Sequence, residues 1–128
     1  MRLNHILICY AAGSAASLLG LLLWYLVSHS HLINLLSLPN FGGWSITLAQ
    51  SRLLWGGLWG LLFALPLLKR HPWQRGIWLA IFPCMMTLWT HDAWSISYFF
   101  SLHPLVVIID HLLWGLACAW LIRYASKK

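Results

Sequence analysis

The chain has 128 residues, 61% of them hydrophobic and 8% charged, with a formal charge of +6. A soluble domain carries about 25% charged residues, so this chain lacks the polar surface to face water all round, and the lipid bilayer is its expected solvent and partner. The basic residues stand at the ends of apolar runs, as topology signals do, so no nucleic acid is expected as a partner.

Four apolar stretches follow in chain order, at 6–27, 48–68, 77–100 and 105–123. Each approaches the ~20 residues that a helix needs to cross ~30 Å of hydrocarbon. A backbone in lipid must satisfy its polar groups within the segment, so helices follow. The expected fold is all-α: one transmembrane domain over residues 1–128, an integral membrane four-helix bundle. The first stretch opens with "MRLNH", like a secretory signal. Its apolar run exceeds the ~7–15-residue core of a signal, and its small residues precede the Leu-rich part, so it reads as a retained helix. Residues 28–43, "SHSHLINLLSLPNFGG", are too short and too polar to span. There "HLINLLSL" suits the membrane interface and "PNFGG" is turn chemistry. Pro66 and Pro83 fall inside the second and third stretches, where kinks are expected.

The charges orient the bundle. Arg2, Lys69, Arg70, Arg75, Arg123, Lys127 and Lys128 flank alternate ends of the four stretches, and Arg52 alone lies elsewhere. Both termini are therefore expected in the cytoplasm. Trp24, Trp44, Trp73, Trp94 and Trp120 lie near span ends, where an amphipathic ring favours the interface. The deeper tryptophans are expected to pack between helices. Cys9, Cys84 and Cys118 fall in apolar runs without a CxxC pair, so they read as small core residues.

Small residues recur at helix-packing spacing: Gly56 with Gly60, Gly115 with Ala119, Gly13 with Ser17, and Ala16 with Gly20. Such faces let backbones approach closely, either inside the bundle or at a homo-oligomer or larger-complex interface. "RLLWGG" at 52–57 and "HLLWGL" at 111–116 are alike, which points to a repeat of two hairpins.

The polar residues gather at one level. Asp110 is 13 residues before Arg123, a rise of roughly 20 Å from the cytoplasmic end. Asp92 is 17 residues after Arg75, and Arg52 is 17 residues before Lys69; each rises roughly 25 Å. The two acids and this arginine thus share a layer in the outer half, with His91 and His111 beside the acids. A charge in mid-span costs about 2.5–3.5 kcal/mol and usually finds a partner, so Arg52 is expected to pair with Asp92, Asp110 or both. Adjacent residues on a helix point about 100° apart, so Asp110 and His111 are expected to meet different neighbouring helices. The cluster of Arg52, His91, Asp92, Asp110 and His111 reads as a register-fixing ion pair, as a binding or proton-responsive site, or as a haem or metal site on His91 and His111. No HxxxH or ExxH spacing puts two ligands on one helical face, so no metal ligands are assigned and the cofactor stays open.

Catalytic residues are not assigned either. There is no Gly-rich phosphate loop, and the serines have no His/Asp relay. "HLLWGLACAWLIRY", preceded by "KRHPWQRGIWLA" and a helix carrying His91, resembles the C-terminal half of the YagU-like small inner-membrane proteins. There too a histidine opens a final aromatic- and glycine-containing helix that ends in arginine. The resemblance covers about half of the chain, leaves out the first hairpin and carries over no catalytic residue. It implies a multi-span bacterial inner-membrane protein. The leading expectation is a non-enzymatic accessory protein or complex subunit. Alternatives are an oligomeric proton- or cation-handling transporter or channel, and a His-ligated haem or metal protein.

Overall fold

The computed structural model describes residues 3–30, 45–66, 71–90 and 102–126. Among the described residues there are four α-helices, one 3-10 turn and no strand: α1 Leu3–His29, α2 Ile46–Gly60, the turn Leu61–Ala64, α3 Pro72–Thr90 and α4 His103–Ala125. Two of the helices, Leu3–His29 and His103–Ala125, are long and apolar enough to cross a membrane.

Proline and capping chemistry set the bounds. Ser45 caps α2 in extended backbone, and its hydroxyl accepts the Leu48 N–H at 3.1 Å. At the other end Pro66 bars helical geometry to the residue before it. Leu65 is accordingly extended at φ −67° and ψ 143°. The second helical segment therefore stops at Ala64, short of the expected 68, and tightens to 3-10 geometry first. Pro66 ends this segment and does not kink it. Pro72 starts α3 five residues before the expected 77, because a proline in the first turn forfeits only an N–H that has no acceptor anyway. Pro83 is carried inside α3 without breaking it. The expected extension of this stretch through residue 100 lies outside the described residues.

The helices pair antiparallel. Gly13 of α1 lies against Gly56 and Gly60 of α2, and Gly76 of α3 lies against Gly115 of α4. A Cβ on Gly60 would come 2.5 Å from the Cys9 carbonyl oxygen, so side chains there would force the helices apart. The two pairs join through α1 and α4. Trp114 donates its indole N–H to the Gly13 carbonyl at 3.1 Å, and Ala12, Ala16 and Cys118 are buried at the same seam. Phe63 packs edge-on to Trp114, with ring centroids 6.2 Å apart. These contacts place residues 3–8, 61–66, 72–76 and 119–126 at one end, the first and last described residues among them. Residues 24–30, 45–52, 87–90 and 102–110 lie at the other.

The small-residue motifs are thus occupied within the chain. Arg75 stitches the terminal end together: its Nη2 donates to the carbonyls of Phe63 and Leu65, freed where Pro66 ends the helix. The tryptophans divide differently from expectation. Trp114 is buried and Trp59 half-buried, but the deep Trp55, Trp78 and Trp89 are exposed. Glycine seams leave no room for a large ring, so these indoles stay out of the helix–helix contacts.

Candidate functional site

At the end away from the termini, α2 and α3 stand apart and leave a cleft of about 380 Å³. Its floor is formed by α1 and α4. Asp110, His111 and Trp114 come from α4, Arg52 and Trp55 from α2, Thr87 and Thr90 from α3, and Ser17 from α1.

Asp110 is the buried acid of this site. Its Oδ2 accepts from Arg52 Nη1 at 3.1 Å, and its Oδ1 accepts from the Trp24 indole N–H at 2.8 Å. Gly20 makes room: a Cβ there would lie 3.3 Å from Oδ1. Arg52 keeps 38% of its side chain exposed, against 11% for Asp110. The acid is thus fixed from two helices while the arginine reaches from the cleft edge.

His111 faces the other way, toward α3. Its Nδ1 lies 2.8 Å from the Val107 carbonyl oxygen, and its Nε2 lies 3.1 Å from Thr87 Oγ1. A carbonyl only accepts, so Nδ1 carries a proton. The Thr87 hydroxyl also sits 2.9 Å from the Pro83 carbonyl. In neutral His111 the hydroxyl donates to Nε2. In the imidazolium, Nε2–H donates to the hydroxyl oxygen, which turns its own proton to Pro83. Both protonation states are therefore satisfied without moving a heavy atom.

The structure brings together Arg52, Asp110 and His111 from the expected cluster. Asp110 meets α1 and α2, and His111 meets α3, as the 100° offset requires. His91 and Asp92 lie outside the described residues. Among the described residues no three His, Cys, Asp or Glu side chains come together in a metal-holding group. The three cysteines are buried and free.

Trp24, Thr87, Ser17 and Gly20 were not legible as site residues. Trp24 reads as an interface anchor by position, yet its indole turns inward to the acid. One signal does point to it. Ala16 and Gly20 form a small-residue stripe on α1, and one further turn along that stripe is Trp24. Nothing comparable marks Thr87. Compared with protein-family models, with curated proteins and with solved structures, the chain matches none.

Proposed function

We propose that the chain is a small polytopic membrane protein of the bacterial inner membrane, a four-helix bundle with both termini in the cytoplasm. Its function in this reading is that of a non-enzymatic accessory protein or complex subunit, which receives a polar group of its partner in the cleft between α2 and α3. Membrane residence is supported by the outer faces. Leu7, Leu19 and Leu26 of α1, Leu54 of α2, Phe82 of α3 and Leu113 of α4 are all exposed. Helices apolar on every face, with large side chains left outside, suit lipid as the surrounding solvent.

The observation that carries the function is the cleft itself. An internally neutralised pair, Arg52 with Asp110, stands beside His111 and the Thr87 and Thr90 hydroxyls, with tryptophan walls. Such a surface offers donors and acceptors to a polar group without a net charge to repel it. Intramembrane ionisable groups facing a cavity are functional candidates by default. The test is site-specific photocrosslinking in cells. A photoreactive residue at Ser51 or Met86, at the cleft, should give one discrete protein adduct. The same residue at Leu19, on the outer face of α1, should give only lipid adducts. A purified protein that stays monomeric, forms no adduct from the cleft and shows turnover would remove this reading.

A second reading, an oligomeric proton- or cation-handling transporter or channel, is favoured by the His111–Thr87–Pro83 chain, which accommodates either protonation state. Proteoliposome flux that falls in Asp110→Asn and His111→Gln supports it. Flux unchanged by both substitutions counts against it.

A further inference from the structure

A second cavity, of about 480 Å³, opens at the terminal end, some distance from the cleft. It is lined by His71, Trp73 and Arg75 of the α3 start and by Arg123 of the last turn of α4. Phe63, Ala119 and Ile122 form a buried apolar back wall. Among the described residues the acid is Asp110, 13 residues from Arg123 along α4 and at the opposite end, so no carboxylate of the described residues neutralises this cavity. Arg75 is half engaged. Its Nη2 holds the Phe63 and Leu65 carbonyls, while its Nε is buried with no hydrogen-bond partner. Arg75 is only partly buried and lines the cavity, so the rest of its guanidinium charge is available to an anion there. The α3 N-terminus adds the positive end of its dipole.

We propose that this cavity binds a phosphate group, that of an anionic lipid headgroup or free phosphate. Arg75, Arg123 and His71 hold the phosphoryl oxygens. Trp73 stands where headgroups meet hydrocarbon, and the apolar wall fits a glycerol or acyl segment, which favours the lipid source. Basic pockets between helices on one membrane face are suited to such headgroups. The site shares no residue with the cleft, so it stands or falls independently of the function proposed there.

The experiment is native mass spectrometry of the full chain, delipidated in mild detergent and titrated with phosphatidylglycerol or phosphatidylcholine. One phosphatidylglycerol should be retained per chain in clear preference to phosphatidylcholine, whose choline brings a positive charge into a cationic cavity. Arg123→Gln should weaken retention roughly tenfold, the scale of one charge-assisted hydrogen bond. Arg123→Lys should lose less, because it keeps the charge. Arg123 and His71 are exposed, so should Arg123→Gln fail to fold, His71→Gln carries the test. Retention displaced by millimolar inorganic phosphate, or phosphate binding without lipid retention, assigns the site to free phosphate. Equal retention of the two lipids with no phosphate binding, or a folded Arg123→Gln or His71→Gln that binds as wild type does, overturns the proposal.

Discussion

Asp110 is held by two donors of different kind, a guanidinium and an indole, and substitutions can separate them. Asp110→Asn removes the charge but keeps an acceptor for Trp24, and it should cost about 1.5 kcal/mol, the lower end of the worth of a hydrogen bond to a charged group. Asp110→Ala removes the carboxylate that accepts from both the Trp24 N–H and the Arg52 guanidinium. It should cost about 2–3 kcal/mol, below the roughly 3–5 kcal/mol of a fully buried pair because Arg52 remains partly exposed. Unfolding in mild detergent measures both, and equal losses would mean that the Trp24 bond contributes nothing. At His111 the expected tautomer is Nδ1–H, since the Val107 carbonyl needs a donor. Nitrogen-15 NMR of labelled histidine reads this directly. Thr87→Val should leave the Nδ1 proton in place and shift the Nε2 resonance alone. An Nε2–H neutral ring would contradict the geometry at Nδ1, which would then face the Val107 carbonyl without a proton.

Between elements, contact between glycines decides the structure, and here prediction separates intramolecular packing from self-association. Gly60→Ala places a methyl 2.5 Å from the Cys9 carbonyl oxygen, and Gly115→Ala places one 2.8 Å from the Ala80 methyl. Overpacking of this kind typically costs about 1–3 kcal/mol, so both variants should unfold more readily while the oligomeric state of the folded fraction is unchanged. A shift in oligomeric state with unchanged stability would instead assign these faces to contacts between chains. Gly20→Ala, whose methyl would only nudge the Asp110 carboxylate, should cost less than either. The small-residue spacing was legible in the sequence, and so was the helical character of every stretch, because apolar runs of this length allow little else in lipid. The pairing of the stripes was not, since GxxxG spacing names a face and not its partner. Helix ends were misread at Pro66 and Pro72, where hydropathy continues past a residue whose ring dictates the boundary. The depth count placed Arg52 and Asp110 at one level because a helix converts sequence distance into height directly. It could not find Trp24 or Thr87, which carry no charge to mark them and turn inward only when α1 and α3 dock on α4.

At the scale of the whole molecule, the proposed orientation can be derived from charge and tested by access. The described cations Arg75 and Arg123 lie at the terminal end, and Arg52 lies at the other end, compensated by Asp110. In sequence, Arg2, Lys69, Arg70, Lys127 and Lys128 adjoin the terminal end as well. Translocating that end would carry all seven charges across the membrane, whereas the opposite orientation carries one arginine, already paired. The positive-inside rule acts on this asymmetry in short loops. The two faces can be told apart chemically because Cys9, Cys84 and Cys118 are buried and give little background. Single cysteines replace exposed residues: Ile46→Cys and Leu102→Cys at one end, His71→Cys and Ser126→Cys at the other. In intact cells a membrane-impermeant maleimide should label positions 46 and 102. Positions 71 and 126 should react only after the membrane is opened. Labelling at all four positions in intact cells would mean that the helices do not separate two compartments, which removes the membrane-spanning reading. The reversed pattern would put the Arg52–Asp110 cleft on the cytoplasmic side, and the uncompensated cations at the terminal end would then have to be held outside by something stronger than their charge.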